Sequence, residues 1–317
     1  MSILPSPDDL LTGLCASLGQ DSPATLAFGP GSGPGLIEVV GQDAVDFLQR
    51  ITTADVAALA DGEATPLAFL DPKGKLLATA VAGRSADSVI LAVPRARFDE
   101  VLAWCERYHF TEKLTLRPHV ANASRLRLAA GARGLVATGS ARMAVDGDSV
   151  LLSYARGGLL REWTFRPGSA TQVLAPSADE EARLERLRIA AGDVSVGVDT
   201  DARTLALEAG LEDHISTTKG CYTGQEIVAR VHTYGHVNKR LVRLTIEGSA
   251  PIAHGTAVFE TALGETVGRV LSSVAVPEAD ACIAIGMLAE GFLTEPAPLE
   301  LRGEVSRAVR YADLVPA

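Results

Sequence analysis

The sequence predicts an α+β region followed by a small β-barrel. Up to Gly235, strand-like alternation and the 3.6-residue period of helices are mixed without the strict strand–helix–strand order of a doubly wound sheet. Beyond Gly235 helical signals vanish, and apolar runs split by Gly and Pro remain. A chain of 317 residues with 47% hydrophobic content can build two or three cores. The expected division is 1–236 and 237–317.

Asp8 to Leu18 reads as an amphipathic helix, because Leu11, Leu14, Cys15 and Leu18 share one face. Gly29 to Gly35 (GPGSGPG) lacks the Lys-Ser/Thr ending of a phosphate loop, and its prolines remove N–H donors, so it reads as a turn. Next come a strand at Leu36 to Val40 and a helix at Ala44 to Ile51. Strands at Pro66 to Leu70 and Lys75 to Val81 are joined by the turn Asp71-Pro72-Lys73-Gly74, and Val89 to Val93 is a further strand. Helix Phe98 to Tyr108 carries Phe98, Val101, Leu102 and Cys105 on its apolar stripe. Strands follow near Leu114 to Leu116, Arg125 to Ala129, Val150 to Tyr154 and Leu160 to Phe165. Ser177 and Glu180 stand at capping-box spacing ahead of Leu184 and Leu187, and Gly192 ends that helix. In the C-terminal part, Leu241 to Ile246, Thr256 to Glu260, Thr266 to Leu271, Ala281 to Leu288 and Leu299 to Val309 read as strands.

A formal charge of -10 argues against gripping nucleic acid or anionic membrane by bulk electrostatics, so any link to RNA is expected to be indirect. No basic leader with an apolar core and no long apolar run appears, and the expectation is a cytoplasmic, non-membrane monomer. The four cysteines are widely and irregularly spaced with no C-x-x-C pair, which reads as free thiols and no metal site.

Cys15, Cys105 and Cys282 lie on apolar faces or runs and read as core residues. Cys221 does not. It sits in Lys219-Gly220-Cys221-Tyr222-Thr223-Gly224-Gln225-Glu226, a polar, glycine-flanked stretch. Thr223 and Glu226 have capping-box spacing ahead of Ile227, Val228 and Val231, which places Cys221 just before a helix start. Unpaired N–H groups there, with Lys219 and Arg230 nearby in sequence, favour a thiolate. The competing structural reading is a tight turn with Cys221 as a bystander.

Other groups carry weaker signals. His232 and His236 are four apart, but Gly235 interrupts the helix that a metal pair would need. His214, His232 and His236 are all conceivable partners of Cys221, and nothing in the sequence selects one. Asp71, Lys73 and Lys75 form a charged turn of the kind that is usually solvated. Trp104 reads as core, and Trp163 as packing or a ligand wall.

With these residues in view, the chain resembles the YgfZ family, relatives of the glycine-cleavage T-protein. Lys219 to Glu226 (KGCYTGQE) resembles the family signature. Arg188-Ile189 with Gly192, Gly197, Leu207 to Leu211, Arg230, Phe47 to Gln49, Thr52 to Val56 and Asp71 to Lys75 also fit. The resemblance implies a ring of interleaved α+β folate-binding subdomains plus a C-terminal β-barrel, with tetrahydrofolate or a one-carbon derivative in a central hole. It implies Cys221 as the functional thiol, a signature set of Lys219, Gly220, Cys221, Tyr222, Gly224, Gln225 and Glu226, and Asp71, Lys73, Arg188 and Arg230 as folate contacts. It further implies a role in making or repairing iron–sulfur clusters, with cluster proteins such as a tRNA-methylthiolating enzyme as partners. T-proteins carry an acidic pair where Ala78 and Thr79 stand here, and a pterin-contacting glutamate where Ala190 stands, so aminomethyl transfer lacks its acid/base groups. A folate-dependent one-carbon transferase and a non-catalytic folate-sensing adaptor are the alternatives.

Overall fold

The computed structural model describes residues 4–17, 24–28, 33–119, 123–130, 139–147, 149–166, 177–235, 237–294 and 297–315, with backbone alone at 15, 17, 24–28, 123–130 and 234. His236, residues 29–32 of the glycine-rich turn and the Cys15 side chain lie outside it. In chain order the elements are α1 (Pro7–Ser17), β1 (Ala24–Phe28), β2 (Gly35–Val40), α2 (Ala44–Ile51), β3 (Glu63–Leu70), β4 (Leu76–Ser85), β5 (Ser88–Val93), α3 (Phe98–Tyr108) and β6 (Thr115–His119). There follow β7 (Ala123–Ala130), β8 (Ala141–Asp146), β9 (Ser149–Arg156), β10 (Leu159–Arg166), α4 (Ala178–Ala190) and α5 (Gln225–Tyr234). The C-terminal part holds β11 (Lys239–Glu247), β12 (Ala257–Glu260), β13 (Thr266–Val276), β14 (Ala281–Ala289), α6 (Glu290–Thr294), β15 (Leu299–Leu301) and β16 (Arg307–Asp313).

Strands β1 to β10 form one open ten-stranded sheet in the order β1-β7-β10-β9-β8-β3-β4-β5-β2-β6. Alternation sorts its side chains onto two faces. Ile37, Val39, Leu91 and Val93 meet Phe47, Leu48 and Ile51 of α2 and Phe98 and Val101 of α3 on one face. Their neighbours Leu36, Ile90 and Ala92 turn the other way, towards Leu152 and Phe165. Strand β5 is buried along its whole length and apolar from Val89 on, because both of its faces are covered. The α+β class expected from the sequence is the one observed.

Strands β11-β14-β13-β12-β15-β16 close a barrel. Val242, Leu244, Ile246, Cys282 and Ala284 fill it. The alternate residues Leu241, Ile283, Ile285 and Met287 pack outward against a shared core with Leu11, Ile189, Leu207 and Tyr222. Helix α4 therefore lies between sheet and barrel. Its last turn is gripped from both: Arg156 on β9 donates from Nε to the Gly192 carbonyl, and Arg243 on β11 donates from Nη1 to the Ala190 carbonyl.

Several elements differ from expectation. The segment Leu299 to Val309 is two strands, because the chain reverses at Gly303 and pairs back as Leu299↔Val309. Helix α6 follows β14 where no helix was expected, and strands β1 and β8 were not marked. The capping box at Ser177 and Glu180 is present in full. That at Thr223 and Glu226 is not: α5 starts at Gln225, and its N-cap is Gly224 in the left-handed region with no side-chain cap bond. A side chain there would strike the Asp71 carbonyl, 2.7 Å from an added Cβ, so a tight approach to the β3–β4 turn sets the helix start instead of a capping hydroxyl.

Candidate functional site

The signature stretch is anchored by Lys219. Its side chain is buried and runs into the C-terminal end of α2, where Nζ donates to the carbonyls of Gln49, Thr52 and Ala54 at 2.6, 2.8 and 2.7 Å. Helix C-termini leave carbonyls unpaired, and a cation there also meets the negative end of the helix dipole. Burial pushes the Lys219 ammonium down to about 8, against the opposing charge of Asp55. The ammonium also sits 5.0 Å from the centre of the buried Tyr222 ring. Thr223 N–H bonds the Arg50 carbonyl at 3.1 Å. With its flanks tied down, the loop leaves Gly220 and Cys221 exposed.

Lys219 is thus spent on α2, and Arg230 lies exposed on α5. Cys221 is presented to solvent, whereas Cys105 and Cys282 are buried and burial pushes both thiols up, Cys105 to about 12. Asp71 holds the β3–β4 turn, its Oδ1 accepting from Lys73 N–H and Lys75 N–H at 2.8 Å each, while the Lys73 side chain is exposed. Gly74 of that turn faces Ile227 of α5, so turn and signature form one surface cluster.

A separate cavity of about 440 Å³ opens between β4, β5, β9, β10 and α4. Its walls are largely apolar, with Val81, Ala92, Leu152, Leu159, Leu184 and Leu187 and with Trp163 beside them, and α4 adds Glu181, Glu185 and Arg188. Arg188 lines it, but all five of its N–H donors are taken. Nε and Nη2 hold Glu185 in a fork at 2.7 and 2.6 Å, Nη1 meets Asp193 O and the fully buried Asp199 carboxylate, and Nη2 also reaches Ser272 on β13. Arg188 therefore fixes the cavity wall to the barrel. Asp71, Lys73, Arg230 and Cys221 do not line the cavity.

One end of the cavity is polar, lined by Ser153, Tyr154, Arg161, Asp193 and His214. Behind it, the Asp213 carboxylate collects His214 Nδ1 at 2.8 Å, Arg156 Nη1, and the Tyr154 hydroxyl at 3.1 Å. Burial opposes ionisation of Asp213, but the hydrogen bonds and charges of His214 and Arg156 outweigh it and hold the carboxyl well below its usual range. Burial pushes the Tyr154 hydroxyl up, so it stays a neutral donor. Thr53, at the end of α2, joins this end to the signature: its Oγ1 bonds the His214 carbonyl at 2.6 Å, and its own carbonyl accepts from Ser216 N–H at 2.9 Å.

No protein-family model matches the chain. The tRNA-modifying protein YgfZ of Pectobacterium carotovorum is 29% identical over 251 residues, 74% of each chain. That of Serratia proteamaculans is 26% identical over 290 residues, 86% of each. These likenesses support the YgfZ family for the chain. A chloroplastic protein of Arabidopsis thaliana named as a transferase is 27% identical over 292 residues, 82% of this chain but 66% of its own length. In fold, the chain matches the glycine-cleavage aminomethyltransferase T of Bartonella henselae, with a TM-score of 0.73, 16% identity, and 95% of this chain and 88% of that one covered. The T-protein-like architecture is thereby shown. Among the described residues, no helix is long and apolar enough to cross a membrane.

Within this frame, Thr79 lines the cavity, while Ala78 and Ala190 are fully buried. The sequence marked Arg188 and Trp163 among the cavity residues, but not Arg161, Asp193 or the Asp213–Arg156 pair. His214 was noted only as one of three conceivable partners for the thiol; its bond to Asp213 and its place on the cavity come from the fold.

Proposed function

We propose that this protein binds tetrahydrofolate, or a one-carbon derivative of it, in the cavity between sheet and α4 and serves iron–sulfur cluster assembly or repair through the Cys221 thiol. The observation that carries the reading is the cavity itself: about 440 Å³, largely apolar along its walls and polar at one end, in a T-protein-like frame. That volume falls within the usual range for small-molecule sites. The names of the relatives, tRNA-modifying proteins, agree with an indirect role in tRNA modification through cluster enzymes. Ala78, Thr79 and Ala190 supply no carboxylate for aminomethyl transfer, which favours an accessory factor over a classical aminomethyltransferase.

Cys221 is exposed and apart from the cavity lining, so on this reading the thiol faces the client protein rather than the folate. A thiolate suits soft iron and sulfur exchange. The test is calorimetric titration of the reduced protein with tetrahydrofolate, in the wild type, in Leu184→Trp, which fills the cavity wall, and in Cys221→Ala. Binding by the wild type and Cys221→Ala but not by Leu184→Trp is expected, with cluster-enzyme support lost in Cys221→Ala. No binding by the wild type removes the folate reading; full support of cluster enzymes by Cys221→Ala removes the thiol.

A further inference from the structure

Among the described residues the most exposed large apolar side chain is that of Phe110, 80% exposed on the loop between α3 and β6. A single exposed apolar residue is ordinary on a protein surface. The way the chain holds this one out is not. The Glu112 carboxylate folds back on the loop and accepts from the N–H groups of Phe110 and Thr111 at 2.8 and 3.1 Å, while Arg50 at the end of α2 donates to its other oxygen. Its own N–H and that of Phe110, with Arg50 behind them, hold the Glu112 carboxyl down at about 2. His109 Nε2 donates to the Glu112 carbonyl at 3.0 Å, and the His109 ring meets the buried Phe47 ring edge-on. On the far side Asp43 accepts from Lys113 N–H at 2.7 Å, and Gly41 packs against the Lys113 carbonyl. The loop backbone is fixed from His109 to Lys113, so the exposure of the phenyl ring is built in.

This loop adjoins the signature through Arg50. The Arg50 guanidinium holds Glu112, and its carbonyl accepts from Thr223 N–H at 3.1 Å, two residues past Cys221. One arginine therefore links the stapled loop to the stretch that presents the exposed thiol. Among the described residues of α2, this loop, the β3–β4 turn, the signature and α5, the exposed charged side chains are Arg50, Lys73, Lys113 and Arg230 against Asp46 and Glu226. The chain as a whole carries -10, so these elements are positive relative to the rest. So small an excess cannot hold a phosphate backbone, whose binders neutralise many phosphates at once, but it complements a protein surface that carries carboxylates.

We propose that Phe110 is the apolar anchor by which a client protein docks over Cys221, its ring entering a socket on the client that is edged by acidic groups. The proposal deepens the functional reading above and rests on it for the client, a protein that carries an iron–sulfur cluster. An aromatic ring on a backbone already fixed in place loses little freedom on binding, and a few such buried anchors supply most of the affinity of an interface. The thiol needs no apolar neighbour of its own on this arrangement, because Phe110 sets the register in which it meets the client.

The test is calorimetric titration of a purified tRNA-methylthiolating iron–sulfur enzyme with the reduced wild type, Phe110→Ser, Phe110→Trp and Lys113→Glu. Affinity is expected to fall about 30-fold or more in Phe110→Ser, to be retained in Phe110→Trp and to fall several-fold in Lys113→Glu, with maleimide labelling of Cys221 slowed in the wild-type complex. Urea unfolding and the labelling rate of free Cys221 are expected to be the same in Phe110→Ser as in the wild type, since the ring supports no core. Equal affinity of the wild type and Phe110→Ser overturns the anchor and leaves the thiol reading standing. No binding by the wild type overturns the docking surface even where cluster-enzyme support still requires Cys221. A Phe110-dependent complex whose enzyme is fully supported by Cys221→Ala keeps the anchor and removes the thiol. Two other occupants would also overturn the proposal: a dimer of the protein alone that Phe110→Ser dissolves in sedimentation assigns the surface to a second copy, and tRNA bound by the wild type but not by Phe110→Ser assigns it to RNA.

Discussion

Replacing Lys219 by Met tests how the signature loop is held. The substitution keeps an unbranched stem and removes three charge-assisted bonds, to Gln49, Thr52 and Ala54 at 2.6–2.8 Å. At about 1.5–3 kcal/mol each, these sum to about 4.5–9 kcal/mol. Against this stands the cost of burying the ammonium. A fall from 10.5 to about 8 corresponds to about 3 kcal/mol, which Met returns. The net loss is then about 1.5–6 kcal/mol, to be read from urea unfolding at pH 7. The pH dependence sharpens the test. With its pKa lowered in the fold, Lys219 is deprotonated in the native protein between about pH 8 and 10.5 while the unfolded chain still holds the proton, so the wild type gains stability as pH rises through that window. The Lys219→Met side chain cannot titrate, and the gap between the two proteins widens by up to about 3 kcal/mol. A loss under about 0.5 kcal/mol at pH 7 would refute the anchoring argument. A gap that narrows above pH 8 would mean that the three carbonyls outweigh burial in setting the charge.

Gly224→Ala puts a Cβ 2.7 Å from the Asp71 carbonyl on a backbone at φ +83°, and a loss of about 1–3 kcal/mol in urea unfolding is expected; a neutral effect would show that the β3–β4 turn can move away. Among the thiols whose side chains are described, Cys221 alone is expected to react rapidly with a maleimide under native conditions, and Cys221→Ser should remove that fast phase in mass spectrometry. Arg188→Met strands the fully buried Asp199 carboxylate and releases Glu185, so a loss of about 3–5 kcal/mol is expected together with weaker tetrahydrofolate binding. Unchanged calorimetric affinity in a folded Arg188→Met protein would show that the cavity wall does not depend on this clamp.

Much of the frame is legible because it rests on local periodicity. Helix α2 announces itself through Ala44, Phe47, Leu48 and Ile51, and α4 through Ser177 and Glu180, since a capping box satisfies its own backbone within four residues. The start of α5 misleads because Thr223 and Glu226 have the right spacing, while the deciding contact is with Asp71, more than 150 residues earlier. The cavity's polar end is still less local. Tyr154 and Arg156, Arg161, Asp193, and Asp213 with His214 come from four separate segments, and each looks ordinary alone. Cys221 stands out for the opposite reason: nothing near it in sequence could bury it.

The grip on the last turn of α4 bears on how the protein is made. Arg243 holds the Ala190 carbonyl while its Nε bonds the carbonyl of Asp313, almost the last described residue. As the chain leaves the ribosome, α4 emerges long before β11 and β16 can complete that grip. The sheet must therefore wait with one flank of α4 uncovered, and the cavity wall that Arg188 ties to Ser272 gains its final shape only after β13 and β16 have been made.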